Sequence, residues 1–216
     1  MPDRRHILRA LLAAGLAPAL MRAALAAGNN PLRPGLRKVS GPVFVNGRVA
    51  APGMSIEPGD LVETGAKAEA IYVIGQDAFL QRADTRVQFP LEAAAFFRLV
   101  TGRLLSVFGR GEKSLRVPTA TIGIRGTGCY LEATPAETYF CLCYGEAEVL
   151  PTAAPQSGTV IRTQHHDHPL VIAAATQAGS AIGPARVINH SDAELSLLES
   201  LVGRAPPFAG VFNSVY

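Results

Sequence analysis

The chain has 216 residues, 48% of them hydrophobic, with no tryptophan, three cysteines and a formal net charge of +3. That length suits one domain with an appendage, or two small domains. Residues 1–26 hold four of the 20 basic residues (Arg4, Arg5, Arg9, Arg22) and one of the 17 acidic ones (Asp3), so the remainder carries 16 of each and offers no net charge for nucleic acid.

The N-terminus sets Arg4, Arg5 and Arg9 ahead of an apolar run over residues 10–21, followed by Ala24-Leu25-Ala26. Charge, apolar run and small residues in that order read as a secretory signal over 1–26. The run is shorter than the roughly 20 residues of a membrane span. Its paired arginines resemble a twin-arginine address, which places the protein in the periplasm. Residues 27–38 (AGNNPLRPGLRK) then read as a flexible lead-in.

From residue 39 short apolar pieces alternate with turn signals. Asn46-Gly47 is a two-residue hairpin signal, and Pro58-Gly59, Thr64-Gly65, Gly75-Gln76 and Gly102 mark further turns. A strand every eight to twelve residues, without a long helical period, predicts an all-β domain over 39–150.

The stretch TATIGIRGTGCYLEA (119–133) raises a nucleotide-loop question through Gly123, Gly126 and Gly128. A dinucleotide loop reads G-x-G-x-x-G and opens a helix. Here the spacing is reversed, and the CYLEAT that follows is strand-forming. The glycines are therefore expected to mark bulges or close backbone approach. Arg125 is expected to pair with an acid such as Glu132, and Asp60 to bond nearby turn amides.

Three blocks, VNGRVAAPGMSIEPGDLVETG (45–65), LLSVFG (104–109) and VPTATIGIRGTGCYLEA (117–133), resemble the FecR domain, named for a periplasmic regulator of iron-dicitrate transport. The family's glycine-aspartate turn falls on Gly59-Asp60, and its second signature runs from Val117-Pro118 to Gly126-Thr127. The resemblance covers about residues 39–149. It implies a twisted, solenoid- or sandwich-like all-β fold acting as a non-enzymatic interaction or sensory module with an envelope protein partner. Where that family carries an anti-sigma segment and a membrane helix ahead of the domain, a short export signal is expected here instead.

Cys129, Cys141 and Cys143 lie within one predicted hairpin turning near 135–137. If Thr134 pairs with Thr138, Cys129 faces Cys143 and all three sulfurs share one side of the sheet. Three readings stand: buried apolar side chains, a disulfide of Cys129 with Cys143 or Cys141, or a zinc or copper site. An extended QHHDHP segment (164–169) would aim His166 and His168 together, supplying nitrogen donors beside the thiols; otherwise 165–168 is a solvated loop. His190 reads as a surface or hydrogen-bonding residue. No H-E-x-x-H or G-x-S-x-G is present, and no enzyme is expected.

In the extension over 151–216, Ser191 and Glu194 form a capping box ahead of a helix near 192–202. Leu195, Leu198, Leu201 and Val202 make one apolar stripe, Gly203 stops it, and the aromatic tail 208–216 is expected to be loose or to lie along a sheet edge.

Overall fold

The computed structural model describes residues 30–91, 96–177 and 180–209. The expected export signal and the tail beyond residue 209 lie outside them. Among the described residues, no helix is long and apolar enough to cross a membrane.

Fourteen strands form one open sheet: β1 (Gly35–Ser40), β2 (Val43–Val45), β3 (Arg48–Val49), β4 (Leu61–Thr64), β5 (Glu69–Ile74), β6 (Asp77–Gln81), β7 (Thr85–Gln88), β8 (Phe97–Val107), β9 (Glu112–Val117), β10 (Ala120–Ala133), β11 (Glu137–Pro151), β12 (Thr159–Thr163), β13 (Leu170–Gln177) and β14 (Ser180–Pro184). Helix α1 (Asp192–Leu201) follows. The main path runs β14-β13-β11-β10-β9-β8-β7-β4-β2-β3, with β12 added to β11 and β1-β5-β6 added to β8. The fold is all-β, and its pairs are antiparallel except where β8 meets β9.

Local chemistry explains the turns. Asn46 and Gly47 both take positive φ (52° and 74°), closing β2 on β3. At the next turn Gly59 has φ 99°, and the Asp60 carboxylate accepts from Glu57 N at 2.8 Å and from Asn46 Nδ2 at 2.6 Å. β1 starts inside the stretch expected to be a loose lead-in, because Leu36 is fully buried opposite Tyr72. Gly102 is no turn either. β8 runs straight through it, and a Cβ there would stand 2.3 Å from Thr85 Oγ1.

The glycine-rich stretch is strand β10, with no helix after it. Residues 120–125 pair with β9, and 128–133 pair with β8. The ladder to β11 skips at Gly126-Thr127, a bulge in which Gly126 takes φ 57°. Such an extra residue, two facing one, lets one strand change neighbour. Arg125 sits opposite Glu112 in register and pairs with it, while the expected partner Glu132 bonds Tyr130 and Asn189 instead. Seven residues along one extended strand put Arg125 and Glu132 over 20 Å apart by rise alone, at about 3.3 Å per residue.

These differences order the glycines by cost. Gly123→Ala is expected to change stability by less than about 1 kcal/mol, since the nearest atom to a new Cβ is 3.9 Å away and φ is ordinary. Gly126→Ala meets nothing closer than 4.0 Å but forces a side chain into positive φ, for a loss of about 1–2 kcal/mol. Urea unfolding of the two variants checks the order, and equal midpoints would refute the bulge.

Side-chain alternation creates two apolar clusters. One gathers Leu36, Tyr72, Phe79, Phe97, Leu131, Phe140 and Leu142 among others. Its rings interlock, with Tyr72 stacked on Phe79 at 5.1 Å and Phe108 edge-on to Phe79 at 5.8 Å. The other face carries Ile71, Val73, Leu80, Leu105, Tyr130, Tyr139, Cys141 and Cys143, and α1 covers it with Leu195, Leu197, Leu198, Leu201 and Val202. Burying a side chain of that size contributes roughly 1.5–3 kcal/mol. Ser191 caps α1, its hydroxyl accepting from Glu194 N while the Glu194 carboxylate accepts from Ser191 N at 3.0 Å; Gly203 at φ 72° ends it.

Candidate metal centre

The hairpin of β10 and β11 decides where the sulfurs go. Thr134 N donates to Glu137 O at 2.9 Å, and Thr134 Oγ1 accepts from Glu137 N at 3.1 Å. The loop is therefore the two residues Pro135-Ala136, and Ala133 pairs with Thr138. That is one residue short of the expected Thr134 with Thr138 pairing. A one-residue slip moves a whole strand's side chains to the other face. Cys141 now faces Tyr130 and Cys129 faces Leu142. Cys129 lies in the first cluster and Cys141 and Cys143 in the second. All three are unbridged thiols, with Cys129 on the opposite face from Cys141 and Cys143, which goes against the disulfide reading among the three.

The histidines also depart from an extended pattern. Asp167 accepts from Thr163 Oγ1 at 2.6 Å and from Gln164 N at 3.1 Å, and His166 takes φ 54°. This turn points His166 inward and leaves His168 exposed against β12 and β13. His166, not His168, meets the thiols. The fourth member is His190, in the residue just before the N-cap of α1. It is buried at 2% exposure and stacked on Tyr130 at 4.7 Å. Its separation of 24 positions from His166 matches no standard ligand spacing, and only packing of α1 on the sheet brings it in.

Cys141 Sγ, Cys143 Sγ, His166 Nδ1 and His190 Nε2 lie within 4.8 Å of one another, and all four residues are buried. Cys141 Sγ is 3.4 Å from His166 Nδ1, which is 3.1 Å from His190 Nε2. Tetrahedral zinc with Zn–S near 2.3 Å and Zn–N near 2.05 Å requires donor separations of about 3.3–3.8 Å. The Cys141 to His166 separation falls in that range, the His166 to His190 separation is slightly shorter, and every pair lies within 4.8 Å.

Proton bookkeeping points the same way. His190 Nδ1 is 2.6 Å from Ile188 O, which only accepts, so that nitrogen carries the proton and Nε2 presents a lone pair. His166 Nε2 faces the Asp192 carboxylate at 3.2 Å, so it donates there. His166 Nδ1 then confronts two acceptors, the Cys141 sulfur and His190 Nε2. One proton cannot satisfy both, whereas a cation accepts all of these lone pairs at once. Asp192 to His166 is also the carboxylate–histidine outer contact that orients metal-bound imidazoles.

A second grouping, His165, His166 and Asp192, also falls within 4.8 Å. Here each imidazole Nε2–H can donate to a carboxylate oxygen, His165 reaching both oxygens at 3.0 Å. These groups satisfy each other and serve as the outer layer of the first cluster. His165 also lines an open pocket of about 690 Å³, shared with Phe108, Tyr144, Arg204 and Phe208, which brings solvent to the edge of the centre.

Electrostatics fit a thiolate at Cys141. A hydrogen bond from the Cys143 thiol, followed against the cost of burial by one from His166, lowers it to about 3. Burial opposes charge on His166, yet Asp192 and the Cys141 sulfur hold it up at about 9. Burial pushes Cys143 and Cys129 upward. Cys141, His166 and Asp192 thus form a thiolate–imidazole–carboxylate relay, the arrangement of a thiol nucleophile. Cys141 has 0% exposure, however, and does not line the pocket.

No family model and no curated protein matches the chain. Two solved structures, at 1.65 and 2.50 Å resolution, of a candidate anti-sigma factor from Parabacteroides distasonis ATCC 8503 are similar at 12% identity and a TM-score of 0.47. Each alignment covers 58% of this chain and 59% of that one, so the chain spans less than two thirds of the length of those proteins.

Proposed function

We propose that this protein is a non-catalytic, exported β-module built around a closed transition-metal centre, and that it acts on an envelope protein partner through its surface. The observation that carries the reading is the convergence of two sulfur and two imidazole donors, three of them contending for one proton. Four protein donors around one point match structural zinc sites, whereas catalytic sites keep a position open for water or substrate. Zinc suits an S₂N₂ tetrahedron better than copper(II), which favours square geometry, or copper(I), which favours softer sulfur-rich sets. The export assignment rests on the layout of residues 1–26, and the interaction role on the resemblance to FecR domains.

The test is metal uptake by the purified protein. One zinc per chain is expected, and cobalt in its place gives the visible absorption of a tetrahedral thiolate site. Cys129→Ser and His168→Ala, which the fold places away from the cluster, retain the ion. His190→Ala loses at least about 100-fold in affinity, since even outer contacts to such centres are worth 10–100-fold. Full affinity in His190→Ala, or loss in Cys129→Ser, would refute this donor set.

A further inference from the structure

Resting on that metal reading, we infer that metal occupancy is the control on docking of helix α1, so that the ion works as a releasable latch on the apolar sheet face. The donors are divided between two bodies. Cys141 and Cys143 belong to β11, the middle of the sheet, and His166 to the turn after β12. His190 belongs to the segment that enters α1, one residue before its cap. An ion held by all four would join helix to sheet by direct bonds.

The first turn of α1 is held by polar contacts as well as by its apolar stripe. Ten residues are fewer than the roughly 12–15 at which an isolated helix becomes even marginal in water, so α1 persists through its contacts. At its C-terminal end Tyr144 donates to Glu199, which also accepts from Arg204 Nε at 2.6 Å. In its first turn Glu194 accepts from Arg82 at 2.7 Å, and Arg82 also donates to Asn189 O at 3.0 Å just ahead of the cap. At its start Asp192 meets His165 and His166, and His190 rests on Tyr130. The cluster shares that end of the helix with the Arg82 contacts and with Asn189, which donates to Glu132 at 2.7 Å. Without the ion, only non-covalent contacts hold the turn that carries His190 against the sheet. Opening it would uncover Leu195 and Leu198 together with Ile71, Leu80 and Leu105 beneath them.

An ion that binds the docked state alone suppresses opening by the factor 1 + [M]/Kd. With zinc at 100 times its dissociation constant, amide exchange across 190–202 is therefore expected to slow by about 100-fold relative to chelated protein. Exchange in 129–133 and 138–142, central in the sheet, stays unchanged and reports an intact fold. One zinc per chain with identical exchange in 190–202 would overturn the latch while leaving the metal reading in place; absence of uptake would overturn both. His190→Ala supplies the second arm. Loaded with zinc on its three remaining donors, it keeps the fast 190–202 exchange of chelated protein. Slow exchange in that variant would show that docking does not depend on the strap-borne ligand, and the inference would fall.

Discussion

Replacing Cys141 and Cys143 together by serine is expected to abolish zinc binding and to lower the melting temperature of zinc-loaded protein by about 10 °C. The size follows from linkage. Free zinc at 1,000 times its dissociation constant stabilises the folded state by about 4 kcal/mol. In a domain of this size each kcal/mol moves the melting temperature by roughly 2–4 °C. The comparison has to be made twice, with zinc and with chelator. Serine in place of a fully buried cysteine carries its own cost of about 1–3 kcal/mol, because a hydroxyl left unpaired in that face loses its hydration. That part persists in chelator, and only the zinc-dependent difference reports the centre. A gap of the same size in both conditions would mean that the two sulfurs are packing and nothing more.

The second large effect is placed at Gly128. A Cβ there would lie 2.5 Å from Tyr144 Cε1 and 2.6 Å from its Cζ. Relief by swinging the ring is blocked. Tyr144 is buried, its hydroxyl donates to Glu199, and Phe208 packs edge-on to it at 5.9 Å. Gly128→Val therefore combines an overpacking cost of about 1–3 kcal/mol with loss of a hydrogen bond to a charged group, about 1.5–3 kcal/mol. A net loss of about 4 kcal/mol is expected in urea unfolding, a large share of the 5–15 kcal/mol that holds a typical domain. Gly128→Ala, with the same Cβ and no branches, keeps the measurement possible if the valine variant fails to accumulate, and should lose about 2 kcal/mol. A loss below about 0.5 kcal/mol in the alanine variant would show that backbone and ring are not in close approach.

Much of the fold was legible because it is written locally. Asn46-Gly47 specifies its hairpin, Ser191 with Glu194 specifies the start of α1, and the reversed glycine spacing before CYLEAT separates strand from phosphate loop. The register of β10 on β11 was not legible to one residue. Both a two-residue and a three-residue loop fit ATPAET, and Thr134 closing on Glu137 selects the shorter. That choice sends Cys129 to the opposite face and makes Cys141 and Cys143 the sulfur pair. The candidate centre was half legible for the same reason. Cys-x-Cys and a histidine cluster announce donors, but His166 over His168 depends on the Asp167 turn, and His190 depends on tertiary packing of a helix. The buried stripe of α1 was the one available hint, since a residue beside the start of a packed helix is itself carried inward.

The donors' order along the chain bears on the proposed export. Both sulfurs precede His190 by more than 45 residues, so a chain threaded through a membrane as an open polymer would present bare thiols to an oxidising lumen before its last imidazole arrived. A chain that closes around its ion in the reducing cytoplasm, and crosses already assembled, would carry those sulfurs past the oxidant with no exposed surface.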